Sequence, residues 1–188
     1  MAILPEPGED NLFATAPSGG NMIYLARSLL VAGVLAAMTF CAQAQIVAIG
    51  ASNVAGRGVS TSEAWPAQLE GMLAAKGRRV HVTNAGINGD TNAGMLARLD
   101  SAVPAGTRVV LLDKFGGGWN GRRLGQGSQT AELAAIEARL RGRGIRVIPM
   151  WWSGALRQYL QADRIHFTVE GHRLVASNML PTVMAALR

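Results

Sequence analysis

The sequence predicts an α/β domain in which a short parallel sheet of four to five strands lies between two layers of helices, a three-layer α/β/α sandwich. Three observations carry that reading. Short apolar runs alternate with stretches whose apolar residues recur at helical spacing. Glycine, proline or a capping residue closes most of these segments. The stretches between successive apolar runs are long enough for the crossover helix that parallel strands require.

The elements follow in order. QIVAIG (45–50) is a continuous apolar run of the fully buried strand type. SEAWPAQLEGMLAAKG (62–77) reads as a helix, with Pro66 near its start and Gly77 at its end. RRVHVTNAG (78–86) is the second strand, with Val80 and Val82 on one face. TNAGMLARLDSAV (91–103) is a helix stopped by Pro104, and TRVVLLD (107–113) is a third, buried strand. Residues 116–121 read as a glycine-rich loop. SQTAELAAIEARLRGRG (128–144) is an amphipathic helix and IRVIPMW (145–151) the fourth strand. TVEGHRLVASNMLPTVMAALR (168–188) closes the chain as a helix, with Thr168 as N-cap and Pro181 as a kink. No repeat or linker interrupts residues 45–188, so one domain accounts for them.

The residues ahead of this domain have a different character. From Met22 the chain reads MIYLARSLLVAGVLAAMTFCAQAQ: Arg27, an uncharged run over 28–42, then Ala42-Gln43-Ala44. That order is expected of a signal peptide over residues 22–44, cleaved before Gln45, and implies a periplasmic or secreted protein. The apolar run is short for a membrane span, and a retained N-terminal anchor is the alternative. Cys41 follows Phe40, where a lipoprotein signal needs a small residue, so no lipid anchor is expected. Residues 1–21 are polar and rich in Gly and Pro, and read as an extension ahead of a start at Met22. The domain itself has no cysteine and must hold its fold without disulfides.

The formal net charge is +6, from arginines scattered along the chain with a local cluster at RLRGRGIR (139–146). With only four Trp, four Phe and two Tyr, and no interleaving of aromatic and basic residues, this is a solvated basic surface and not a nucleic-acid site. It suits peripheral contact with anionic lipid or the approach of acidic substrates. A monomer is expected.

In parallel sheets ligands collect at the carboxyl ends of the strands. Ser52 follows the first strand, Gly89 the second and the glycine-rich stretch the third, so all three face one sheet edge. Ser52 is either an ordinary turn residue or a hydroxyl held out for chemistry. Of the three histidines, His81 falls inside a strand and reads as structural, and His172 falls in the last helix and reads as surface or packing. His166 stands in ADRIHFT, three residues after Asp163. A carboxylate at that spacing can curl back onto one imidazole nitrogen and fix its tautomer, which frees the other to take a proton from a serine. The alternative is a polar turn leading into a helix cap.

Three blocks decide between these readings. IVAIGASNVAGRGVSTSEAWPAQLEGML, NAGINGDTNAGMLARL and DRIHFTVEGHRLVASNMLPTVMAAL resemble, in order, the first, second and last blocks of the SGNH (GDSL-type) hydrolases, nearest to their bacterial thioesterase I, lysophospholipase and arylesterase branch. The resemblance covers nearly all of 45–188. It implies an SGNH-hydrolase-like fold and a serine esterase or thioesterase that hydrolyses small acyl esters through an acyl-enzyme, without metal or cofactor. Ser52 would be the nucleophile, His166 the base and Asp163 its orienting carboxylate. Gly89 and the Ser52 N–H would donate to the oxyanion.

The chain departs from the family pattern in two places. The first block reads Gly50-Ala51-Ser52-Asn53 where the family has Gly-Asp-Ser-Leu. The third block is DKFGGGWNGRRLG where the family has Gly-Gly-Asn-Asp, whose Asn side chain serves the oxyanion. A gapless match puts Gly118 at that position; a shift by two residues puts Asn120 there. The stretch from this block to Asp163 is also short by one helix–strand unit, which implies a four-stranded sheet. A non-catalytic acyl- or glycan-binding relative with a degraded oxyanion site is the alternative function. Gly116, Gly118 and Gly121 also fit G-x-G-x-x-G, but they follow the third strand and no helix is expected at once, so no dinucleotide site is read there.

Overall fold

The computed structural model describes residues 45–188; the segments expected as an extension (1–21) and a signal peptide (22–44) lie outside the described residues. Strands β1 (Gln45–Gly50), β2 (Val82–Gly86), β3 (Thr107–Leu112) and β4 (Arg146–Pro149) form one parallel sheet in the order β2-β1-β3-β4. Around it lie helices α1 (Ser52–Ala55), α2 (Trp65–Ala75), α3 (Asn92–Ala97), α4 (Leu99–Ala102), α5 (Gly116–Arg123), α6 (Thr130–Gly142) and α7 (Val169–Ala186), with a 3-10 segment over Gly154–Tyr159. The predicted α/β sandwich is observed, with the four-stranded sheet that the short stretch between the third block and Asp163 implied.

The alternation of side chains along a strand divides the core in two. Ile46 and Ala48 of β1, with Val109 and Leu111 of β3, point to a cluster with Trp65, Leu69 and Leu73 of α2 and Val175, Met179 and Val183 of α7. Val47 and Ile49, with Val110 and Leu112, point the other way, to Met95, Leu99, Ile136 and Leu140 on α3, α4 and α6. Burial on both faces explains why β1 and β3 read as unbroken apolar runs. Each fully buried leucine of these clusters contributes about 1.5–3 kcal/mol of transfer free energy.

Several elements differ from expectation for local reasons. Residues 116–121 are not a loop but the body of α5. Glycine is a poor helix former, yet the Asp113 carboxylate accepts the Phe115 and Gly116 N–H groups at 2.9 Å each and caps the first turn. Gly117, Gly118 and Gly121 are buried, and a Cβ on Gly117 would collide with Asn92 and Met95, so the missing side chains let α5 lie directly against α3. A helix thus begins at once after β3, which removes one of the two grounds against a dinucleotide site; the other, its place after the third strand, stands. The expected helix over 91–103 breaks at Arg98, whose guanidinium pairs with Asp90 at 2.7 Å.

One histidine needs correcting, and the alternatives left for another are decided. His81 stands ahead of β2, not inside the strand, and is an exposed partner of Glu70 at 2.9 Å. His172 is fully buried, so of the two readings, surface or packing, the second holds. Its Nδ1 accepts the Trp65 N–H at 3.3 Å and its ring meets Phe167 edge-on, which ties α7 to the start of α2.

Sheet order positions the site. From β1 the chain moves first to β2 on one side and then to β3 on the other, so the crevice lies beyond the carboxyl ends of β1 and β3. Ser52 leaves β1 there, and Asp113 leaves β3.

Candidate active site

Ser52 is the first residue of the one-turn helix α1, directly after β1. Its N–H lies in the first helical turn, where no intrahelical acceptor exists. The helix can sit this close to the sheet because β2 ends in Gly86: a Cβ there would strike the Ala55 amide and the Val54 carbonyl carbon.

His166 comes from the loop ahead of α7. Its Nε2 lies 2.9 Å from Ser52 Oγ, and its Nδ1 lies 2.5 Å from Asp163 Oδ2. Asp163 Oδ1 in turn accepts the Ile165 and His166 N–H groups at 2.9 and 3.0 Å. These bonds hold the Asp163 carboxyl far below the usual carboxylate range: the His166 backbone N–H first, then its ring, then the Ile165 N–H. An ionised carboxylate only accepts, so Nδ1 carries the hydrogen and Nε2 is the acceptor for the Ser52 hydroxyl. The His166 side chain is 7% exposed, which limits competition from water. The structure therefore brings Ser52, Asp163 and His166 into one hydrogen-bonded line.

Two further residues hold that line, and sequence reasoning did not single out either. Asn53 spans His166: its Nδ2 donates to the Ile165 carbonyl at 3.0 Å and its Oδ1 accepts the Phe167 N–H at 3.1 Å. The signal was present as an Asn where the resembled family has Leu. Asp113 is 1% exposed, and its Oδ2 accepts the Ala51 N–H at 3.4 Å while Oδ1 caps α5. One buried carboxylate thus fixes the turn before Ser52 to the helix after β3. An Asp closing a buried strand just before a glycine run was its only trace in the sequence.

The expected oxyanion donors fall in different surroundings. Asn120, on α5, lines the cavity with Ser52, and its Nδ2 donates to the Asp90 carbonyl at 2.7 Å. The amide has two N–H groups, so one remains. Gly118 is buried against Ser128 and Asn92 and does not line the cavity. Gly89 lies in an exposed turn closed by the Asp90 N–H to the Ile87 carbonyl at 3.2 Å, with φ at +77°, which favours glycine. It too is outside the lining. Asp90 is pinned by Arg98, whose guanidinium also reaches the Gly50 carbonyl at 3.4 Å.

The cavity above Ser52 measures about 360 Å³. Ser52 and Asp113 lie at its sheet end, Phe115, Trp119 and Trp152 are its aromatic lining, and Arg122 and Arg164 bring positive charge to it. A carbonyl brought to Ser52 there would meet a nucleophile, a base and helix N–H groups together, which is the equipment of acyl transfer.

Comparison with known proteins agrees with this geometry. Residues 48–156 match the GDSL-like lipase/acylhydrolase family. Esterase TesA of Pseudomonas aeruginosa is 33% identical over 125 residues, covering 65% of this chain and 62% of that protein, so this chain spans less than two thirds of its relative's length. A crystal structure of TesA superposes with a TM-score of 0.66 at 25% identity, covering 76% of this chain and 99% of the other. The psychrotrophic esterase EstA from a Pseudoalteromonas species, in a structure inhibited by monoethylphosphonate, shares the fold with a TM-score of 0.65 at 18% identity, over 77% of this chain and 99% of that one. The family match closes before Asp163 and His166, which the fold carries back to Ser52.

Proposed function

The chain belongs to the GDSL-like lipase/acylhydrolase family, and we propose that it is a serine hydrolase of carboxylic esters or thioesters. The observation that carries this reading is the line Asp163–His166–Ser52, with contacts of 2.5 and 2.9 Å between groups up to 114 residues apart in sequence. The relative named as an esterase supports the same reaction class.

In the proposed cycle the Ser52 Oγ–H proton passes to His166 Nε2 as Oγ bonds to the substrate carbonyl carbon. Asp163 stays ionised and stabilises the imidazolium. The oxyanion is met by the Ser52 N–H, with Gly89 and Asn120 as the further donors proposed from the sequence. As the carbon–oxygen or carbon–sulfur bond breaks, His166 returns the proton to the leaving group, and the acyl group remains on Ser52. A water then gives its proton to Nε2, attacks the acyl carbon and releases the carboxylic acid, with the proton returning to Ser52.

Turnover of a short-chain aryl ester tests the proposal. Ser52→Ala and His166→Ala should each lower kcat to a similar floor, by about 10⁴-fold or more, because members of such a set act as a unit. Full activity in Ser52→Ala would end it. A binding protein without turnover is the second reading, and the commitment of Asn120 to the Asp90 carbonyl is what favours it.

The order of charge, apolar run and Ala-x-Ala over residues 22–44 supports export with cleavage before Gln45. N-terminal sequencing of the exported protein should begin at Gln45; a mature chain that keeps residues 28–44 would contradict it.

A further inference from the structure

Two guanidinium groups at the cleft have no part in the acyl-transfer chemistry. Arg122, on α5, and Arg164, between Asp163 and His166, both line the cavity. Neither belongs to an ion pair among the described residues. The nearby carboxylates are already engaged: Asp113 by three backbone N–H groups and Asp163 by His166 and Ile165.

The backbone at Arg164 is a second, independent observation. Its φ is +58°, in the left-handed region that is costly for a residue with a side chain. Among the described residues only Gln129 shares this trait without being glycine. Gln129 is compensated inside the protein, because its side chain accepts the Ala93 N–H and donates to Gln126. The Arg164 side chain has no such bond among the described residues, yet it lines the cleft. A strained position occupied by a cation with no partner among the described residues points to a ligand outside them.

The rest of the cleft shows what accompanies the charge. Phe115 and Trp152 are 53% and 41% exposed, with ring centroids 6.0 Å apart. Arg123 stacks on Trp119 at 4.7 Å and supports that ring. The walls therefore suit an apolar or flat body with an anionic group attached.

We propose that this cleft selects esters whose leaving group carries an anionic substituent, a carboxylate or a phosphate, bound by Arg164 and Arg122. The proposal rests on the reading of Ser52 as nucleophile. The side follows from the chemistry: His166 Nε2 returns the proton to the leaving group, so that group must lie beside His166, and Arg164 precedes His166 by two residues. Arg164 and Arg122 are specificity residues that bind the far end of the leaving group and take no part in proton transfer.

Matched substrates test it: 4-acetoxybenzoate against 4-acetoxybenzamide for a carboxylate, and 1-acylglycerol 3-phosphate against 1-monoacylglycerol for a phosphate, each normalised to its uncatalysed hydrolysis. The wild type should prefer the anionic member of at least one pair by about tenfold or more in kcat/KM at low salt, and the preference should shrink as salt screens it. The pair with the larger ratio identifies the anion. Arg164→Gly is the decisive variant, because glycine accepts the positive φ. It should keep or raise the Tm while the anionic-to-neutral ratio falls to near one, and Arg164→Lys should retain part of the ratio. Arg122→Gln should also reduce it. A wild-type ratio near one in both pairs, or a ratio unchanged in both Arg164→Gly and Arg122→Gln, overturns the proposal and leaves the hydrolase reading intact. Absence of turnover of all four esters, with no reaction of Ser52 toward a fluorophosphonate, overturns both.

Discussion

At the scale of single residues, the site depends on groups that hold other groups. Asn53 contacts the chain on both sides of His166, so it decides where the imidazole stands relative to Ser52. Asn53→Ala removes both bonds. Its kcat should fall about 10²-fold, the size of effect that a misplacement near 1 Å produces, while KM for a small ester changes little. Steady-state kinetics check this, and an unchanged kcat would show that the loop holds His166 without Asn53. Asn120 poses the opposite question, since its Nδ2 already donates to the Asp90 carbonyl. If its remaining N–H serves the oxyanion, Asn120→Ala should lower kcat by about 10²–10³ with KM nearly constant. A loss of Tm without loss of kcat would assign Asn120 to structure alone. These residues also mark what the sequence concealed. Ser52, Asp163 and His166 stand in recognisable blocks, whereas Asn53 and Asp113 act through partners up to 114 and 62 residues away, and nothing local in the chain announces such contacts.

At the scale of elements, the seam between α2 and α7 carries a titratable group in the core. Burial pushes the His172 imidazole down to about 4 from 6.5, with the nearby His166 a lesser influence in the same direction and Glu63 opposing. Its Nδ1 accepts the Trp65 N–H, and Nε2 has no protein partner among the described residues. Below about pH 6.5 the unfolded chain takes up a proton that the folded chain refuses. Stability is therefore complete above that pH and declines as pH falls toward 4, by up to about 3 kcal/mol from this group. His172→Asn leaves an acceptor for the Trp65 N–H and removes the titration. Urea unfolding at a series of pH values should show a shallower loss of stability in the variant between pH 6.5 and 4; parallel curves would contradict the assignment. The element least legible in the sequence was α5. Its glycines argue against a helix by propensity, and what stabilises it, the Asp113 cap and the close approach to α3, is tertiary.

At the scale of the whole molecule, the architecture was readable because it follows from side-chain period. Unbroken apolar runs at β1 and β3 required burial on both faces, and the structure supplies a helix layer on each. Edges were less legible. The second strand starts at Val82, beyond the charged Arg78 and Arg79, and β4 ends at Pro149, one residue before the Met150 N–H makes the last bond to the Leu112 carbonyl at 2.8 Å; on this edge strand proline is tolerated. What the fold does with the sequence is to bring the ends of β1 and β3 and the loop before α7 to one crevice, where Ser52 meets His166.

We propose that this meeting makes Ser52 a nucleophile. Intact-mass and peptide mass spectrometry after exposure to a fluorophosphonate tests it most directly, because the reagent needs an activated serine and no knowledge of the substrate. A single adduct is expected on the peptide containing Ser52, absent in Ser52→Ala and formed far more slowly in His166→Ala. An unmodified wild type, or an adduct that persists in Ser52→Ala, would contradict it.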